Sequence, residues 1–126
     1  KLFKIETSVH SDDSIIKSNV LITDCSGIAI EYALGTERPV IYMDVPLKIH
    51  NDQYKKLNIE PIELSTRKLF GVILSVNDIS NISNIIQKIF IEPNKSQNMF
   101  SNLRKNIVYD FGKSSEIGAN YINNII

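Results

Sequence analysis

A single cysteine, Cys25, excludes a disulfide framework and a cysteine-based zinc site inside this chain, so a reducing, cytoplasmic setting is expected. Net charge is missing as well, because 14 Lys and Arg balance 14 Asp and Glu. No basic stripe with interleaved aromatics occurs, which argues against nucleic acid as a partner, and neutrality argues against nonspecific adsorption to membranes. No apolar run approaches the roughly 20 residues of a membrane span, and the start carries no signal-peptide pattern. A Gly-x-x-x-x-Gly-Lys loop and a Gly-x-Gly-x-x-Gly fingerprint are both absent, as are internal repeats and low-complexity linkers. No metal and no cofactor are expected.

What is present is 126 residues, the length of one domain with a real core. The chain begins at Lys1 rather than Met and enters a strand-like segment at once, so we expect a domain of a longer protein. Its most informative stretch is Val20 to Gly35. Val20, Leu21 and Ile22 form an apolar run without alternation, as a strand buried on both faces requires. Small polar residues, Thr23 to Gly27, interrupt it, and a nearly apolar helix follows over Gly27 to Leu34, with Gly35 as its expected end. This order puts Thr23 to Gly27 between the carboxyl end of a strand and the amino end of a helix. Such turns bind anions, because the first helical turn offers unpaired N–H groups and a partial positive charge.

The remaining chain alternates strand and helix patterns, which predicts an α/β fold with a Rossmann-like parallel sheet and helices on both faces. Leu2 to Thr7 reads as a strand, and Asp12 or Asp13 can cap a short helix reaching Ser18. Pro39 opens a strand over Val40 to Met43, and Asp44 to Asn58 reads as a ligand-side loop with a helical piece near Gln53 to Leu57. Glu60 to Leu64 and Gly71 to Val76 read as strands. From Asn77-Asp78 onward, Ile79, Ile82, Ile85, Ile86 and Ile89 mark a helix whose apolar face is expected on the sheet as core. Pro93 is expected to end it; Met99 to Val108 forms another helix, and Ser114-Ser115-Glu116 starts a last one reaching Ile126.

Within the turn, Gly27 lacks a β-carbon and Ser26 offers a rotatable hydroxyl, so the two can cradle an anion together with the helix amides. The structural alternative makes Ser26 a helix cap and Gly27 a packing residue. Asp24, Gly27, Glu31 and Gly35 recur at three- and four-residue spacing, a polar or small stripe that must face solvent or a cleft. There Glu31 can accept hydrogen bonds from a ribose diol, or stand as a solvated surface charge. Asp24 can touch ligand or orient the loop through backbone amides. Arg67 and Lys68 are candidates to neutralise a phosphate, against the reading of a solvated basic face. His10 reads as a bystander, and His50, with Asp44, Asn51 and Asp52, as a loop histidine able to contact ligand. Cys25 reads as a small half-buried residue rather than an activated thiol, and Tyr42, Phe70 and Tyr109 as core or half-buried aromatics.

The order Leu-Ile-Thr-Asp-Cys-Ser-Gly, then Glu31-Tyr32-Ala33, then Arg38-Pro39-Val40-Ile41-Tyr42 resembles the carboxyl-terminal half of the CDP-glycerol glycerophosphotransferase family, teichoic-acid-type polymerases and primases with a GT-B-like fold. The segments Gly71-Val72-Ile73 and Gly112-Lys113-Ser114-Ser115-Glu116 resemble its Gly-Pro-apolar and Gly-Lys-Ala-Ser-Glu elements, so the similarity runs along most of the chain. The resemblance implies the donor side of a bacterial enzyme that transfers glycerol phosphate, or a related polyol phosphate, to a cell-wall or capsule polymer. CDP-glycerol or a similar nucleotide would be the donor. Thr23 and Asp24 match the motif directly, and Ser26 matches its first serine, which would hydrogen-bond a donor phosphate. Cys25 stands where the family has tyrosine and Gly27 where it has a second serine.

By the same resemblance no catalytic residue lies in this chain. The family's His-Pro element lies farther upstream, the acceptor polymer or lipid-linked acceptor would meet a missing domain, and the isolated fragment would be inactive. A full-length protein of this kind would touch the inner face of the plasma membrane peripherally. The Ser-Gly pair is also similar to sugar-nucleotide enzymes of GT-B type, such as UDP-GlcNAc 2-epimerases. A third class, a noncatalytic α/β interaction domain with a structural turn, stays open.

Overall fold

The computed structural model describes residues 3–7, 13–48, 51, 53–91 and 93–126. It is a mixed α/β structure built on a three-stranded parallel sheet in the order β1-β2-β3, with β1 at Leu21–Thr23, β2 at Val40–Asp44 and β3 at Gly71–Ser75. In register, Leu21 pairs with Val40 and Ile22 with Ile41 on one side, while Val40 pairs with Gly71 and Tyr42 with Ile73 on the other. A middle strand of parallel ladders needs apolar side chains on both faces. Val40, Ile41 and Tyr42 meet this demand and are all fully buried.

Alternation along β2 sends Val40 and Tyr42 to one face and Ile41 to the other. On the first face the core is completed by Ala29, Tyr32, Ala33 and Leu34 of helix α2 (Ile28–Thr36), Phe70 of α4 (Arg67–Phe70) and Phe100 of α6 (Pro93–Ile107). The Phe70 and Phe100 rings stack with centroids 6.4 Å apart. On the opposite face Ile41 is covered, yet its cross-strand neighbours Ile22 and Val72 remain exposed, so that face is only partly clad among the described residues.

Side chains from distant segments secure the helix ends. Helix α1 (Asp13–Lys17) ends where Arg38 Nη1 donates to the carbonyls of Ile16 and Ser18, both at 2.6 Å, and Tyr32 Oη adds a bond to Ser18 at 3.1 Å. These partners take carbonyls that a helix terminus leaves without intrahelical donors. The same device closes α2, where Arg104 of α6 donates to the Leu34 carbonyl at 2.9 Å and pairs with the Glu37 carboxylate.

Several sequence expectations are corrected. The segment 3–7 forms no strand; Phe3 and Ile5 stay exposed, and an extended segment without a ladder partner has nowhere to place its backbone hydrogen bonds. Gly35 lies inside α2, and it is Glu37 that adopts the left-handed conformation at the helix end, φ 56°, while Arg104 holds its side chain. Residues expected as a strand at Glu60 to Leu64 fold instead into α3 (Ile62–Ser65), because the Pro61 carbonyl accepts the Leu64 and Ser65 amides at 3.0 and 3.1 Å. The loop after β2 does contain a helical piece, a 3₁₀ turn over Tyr54–Leu57.

After β3, a 3₁₀ turn (Val76–Asn81) capped by the Ser75 hydroxyl leads into α5 (Ile82–Ile91). The isoleucine stripe is not core: Ile82, Ile85, Ile86 and Ile89 are half-buried, Ile79 is exposed, and none joins the buried cluster. Three strands make too narrow a platform to cover it. Pro93 opens α6 six residues ahead of the expected start, since its missing N–H matters least in a first helical turn. The last helix, α7 (Ser114–Asn123), stops short of Ile126, and Tyr109 is exposed rather than packed. Among the described residues, no helix is long and apolar enough to cross a membrane.

Gly71 is where β2 and β3 approach too closely for any side chain. A β-carbon built there would run into the Val40 carbonyl oxygen and crowd the Val40 carbonyl carbon at 2.6 Å. Gly71→Ala is therefore expected to destabilise the protein by about 3 kcal/mol or more in a urea titration. Gly35→Ala, in open space inside a helix, is expected to stabilise it by about 0.5–1 kcal/mol. Equal effects at the two positions would refute the steric account of the β2–β3 contact.

Candidate functional site

The carboxyl ends of β1 and β2 meet at one rim of the sheet. From β1 the chain turns through Asp24, Cys25, Ser26 and Gly27 into α2. The Ser26 carbonyl accepts the Ala29 amide at 3.1 Å, and the Gly27 carbonyl accepts the Ile30 amide at 3.0 Å and the Glu31 amide at 3.4 Å. The amides of Gly27 and Ile28 have no acceptor among the described residues, and no side chain caps the helix. Two donors without a protein acceptor at the positive end of a nine-residue helix make a corner that can serve an anion.

Beside this corner lies a cavity of about 300 Å³. Cys25 and Gly27 form one wall, Leu47 and Lys48 from the loop after β2 another, and Tyr54, Glu63 and Leu64 the rest. Gly27 has a helical φ of −56°, and a β-carbon added to it would meet nothing within 4 Å. Neither backbone conformation nor packing thus requires a glycine here; the space above it is open.

Of the residues singled out from sequence, Gly27 lines the cavity and Ser26 adjoins it in the turn, its hydroxyl without a protein partner among the described residues. Thr23 is half-buried at the end of β1. Asp24 and Glu31 are exposed, as the helical stripe Asp24, Gly27, Glu31, Gly35 requires, and neither lines the cavity. Among the described residues Asp24 bonds no loop amide, and no side chain caps α2. His10, His50 and Asp52 lie outside the described residues.

A group that the sequence reading did not assemble sits under the rim. Arg67, expected either as a phosphate ligand or on a solvated basic face, is buried, with 8 % of its surface exposed. Its Nη2 donates to Asp44 Oδ1 at 2.8 Å, and its guanidinium carbon lies 5.7 Å from the centre of the Tyr42 ring. The alternation of β2 explains the grouping: Tyr42 points into the core, and Asp44, two residues on, faces the same way at the strand end. The sequence signal was present in Asp44 as the first charge after an apolar strand, but Arg67 is 23 residues away and only tertiary structure joins them.

Electrostatics differ from those of a reactive-thiol site. Burial pushes the Cys25 thiol above its usual range; the Arg67 charge pulls it down less strongly, and Glu63 and Asp24 push it further up. Cys25 is therefore a neutral thiol, consistent with its reading as a small half-buried residue. Burial likewise pushes the Tyr42 phenol up to about 12, despite the opposing pull of Arg67.

Because the folded state raises the Tyr42 pKa, Tyr42 holds its proton more tightly folded than unfolded. Its contribution is complete below pH about 10 and is lost as the pH rises from there toward 12, at up to about 1.4 kcal/mol per pH unit. Stability measured by denaturant titration between pH 9 and 12 is expected to fall in the wild type, with that component absent in Tyr42→Phe. Identical alkaline slopes for the two proteins would refute this assignment.

No protein-family model matches this chain, and no curated protein or solved structure matches it either.

Proposed function

We propose that this chain is the donor-nucleotide-binding part of a GT-B-like transferase. Its reaction would move glycerol phosphate, or a related polyol phosphate, from a CDP-activated donor onto a cell-surface polymer. The observation that carries the reading is the pair of unpartnered amides, Gly27 and Ile28, at the head of α2 beside a cavity of about 300 Å³. Ligands of open α/β sheets bind outside the carboxyl ends of the strands, and anions bind where helix amides are free. The three parallel strands with intervening helices agree with a Rossmann-like half of such an enzyme.

In this reading Ser26 and the amides of Gly27 and Ile28 hold a donor phosphate, Thr23 and Asp24 shape the turn, and Glu31 takes the ribose diol one helical turn away. Direct attack of an acceptor hydroxyl on phosphorus needs a general base, which this reading assigns to another part of the enzyme. What this chain supplies is electrostatic stabilisation of the departing nucleotide. The open space at Gly27 favours a second reading, a sugar-nucleotide glycosyltransferase or epimerase whose pyrophosphate lies directly on the backbone.

Titration of the isotopically labelled protein with CDP-glycerol, CDP, UDP-GlcNAc and UDP separates the two. Amide shifts over Thr23 to Glu31 that saturate at lower concentration for the cytidine ligands support the glycerophosphate donor. A uridine preference moves the assignment to the sugar-nucleotide class, and a flat response to all four would leave the turn a structural element. In the second reading, Gly27→Ala is expected to raise stability by about 0.4–1 kcal/mol while weakening nucleotide binding about tenfold, because the added methyl stands where the pyrophosphate would lie on the backbone. A variant that binds as the wild type does would refute the role given to Gly27.

A further inference from the structure

An arginine offers planar acceptors a side-on fork made of Nε–H and one Nη2–H, spaced to meet two oxygens of a carboxylate or phosphate at once. In Arg67 this fork is half used. Nη2 donates to a single oxygen of Asp44, whereas Nε is buried with no partner among the described residues. The Tyr42 hydroxyl, on the ring beneath the same guanidinium, is also buried with no partner among the described residues. A buried polar atom left without a hydrogen bond gives up its hydration with nothing in return, so two on neighbouring side chains call for a reason.

Asp44 and Arg67 are unequal partners. The Asp44 side chain is 57 % exposed and the Arg67 side chain 10 %, so Asp44 can leave for water at little cost while Arg67 cannot. Arg67 also forms part of the wall of a second cavity, about 320 Å³, together with Lys68, Ser65 and Glu60. Leu64 lines both this cavity and the one at the Gly27 turn, so the two adjoin at that side chain. Lys68 adds positive charge to the wall, and Glu60 opposes it.

We infer that Arg67 and Tyr42 form a phosphate subsite: a phosphoryl group of the ligand takes both prongs of the Arg67 fork, sends Asp44 into solvent and accepts the Tyr42 hydroxyl. Asp44 is the placeholder that keeps the guanidinium neutralised while the site is empty. This inference rests on the nucleotide-binding reading above and names the cation of that site. Arg67 Nε and the Tyr42 hydroxyl are closed off in the resting arrangement, so binding includes release of Asp44 and a turn of the guanidinium that uncovers both.

The test follows the Arg67 Nε–H signal in proton–nitrogen spectra while inorganic pyrophosphate, CDP and, as a phosphate-free control, cytidine are added. We expect a saturable shift of that signal with pyrophosphate or CDP and none with cytidine. A response to CDP alone identifies a nucleotide as the source of the phosphate, and a response to both identifies the diphosphate itself as what is recognised. Arg67→Lys, which keeps the charge and loses the fork, is expected to weaken binding about tenfold or more. Asp44→Asn is expected to tighten it several-fold, and Tyr42→Phe to weaken it while leaving the melting temperature at or above that of the wild type. Should Arg67→Lys fail to fold, the other two variants decide the question.

Shifts at the Gly27 and Ile28 amides with an unmoved Arg67 signal, and unchanged binding by Asp44→Asn and Tyr42→Phe, would overturn the subsite and leave the nucleotide-binding reading standing. Silence at both places with pyrophosphate, CDP and UDP-GlcNAc would overturn both.

Discussion

Burial of the middle strand on both of its faces is the constraint from which the rest of this structure follows. Val40 and Tyr42 can reach the helices only if α2, α4 and α6 all lie on one side, and Ile41 can be covered only from the other. The two ladders that satisfy the strand's backbone also fix its register, because a slip by one residue would exchange Tyr42 for Ile41 or Met43. Gly71 serves the same constraint from the neighbouring strand, letting β3 come close enough to pair. The strand then ends at Asp44 on the rim where β1 also ends, so the element that organises the core delivers the acidic partner of Arg67 to the candidate site.

Away from this strand the structure is held by polar contacts between segments distant in sequence. Arg104 joins α6 to the end of α2 across 70 residues, and Arg38 with Tyr32 ties the end of α1 to the base of the sheet. These arginines meet carbonyls that helix ends leave without donors, which makes each contact directional in a way that apolar packing is not. Among the described residues the outer helices lack such anchoring to the core: α7 is exposed along its length and α5 is half-buried at best. Local opening is accordingly favoured at the carboxyl-terminal end, where few apolar groups are withdrawn from water.

Much of the fold is legible in the sequence because the strongest local signals and the tertiary demands coincide. The continuous apolar runs at Leu21 and Val40, the glycine opening β3 and the small polar turn at Thr23 to Gly27 each predict an element that forms close to the expected place. The solvent-facing stripe of α2 is legible too, since helix periodicity alone decides which residues share a face. Errors arise where a local pattern had no partner. Phe3 and Ile5 alternate as a strand does, but no strand among the described residues pairs with them; the isoleucines of α5 form a stripe that stays half-buried at best. Pro93, read as a breaker, instead stands at a helix start, where a fixed φ assists and the absent N–H does no harm, and Pro61, read inside a strand, stands just before α3.

The sequence by itself determined the α/β class, the place of the strand-to-helix turn and the absence of an internal disulfide, because each depends on residues close in the chain or on composition. Only the tertiary structure decided which of the candidate residues meet. Glu31 and Asp24 face outward from the turn, while Tyr42, Asp44 and Arg67, spread over 26 residues, come together beneath the rim. Sequence spacing could not reveal that grouping, because it depends on how β2 lies against the α3–α4 segment and on which of its side chains the core takes in. The unfilled hydrogen bonds of Arg67 and Tyr42 likewise belong to packing, since a polar atom becomes an orphan only once its neighbours have closed it off from water.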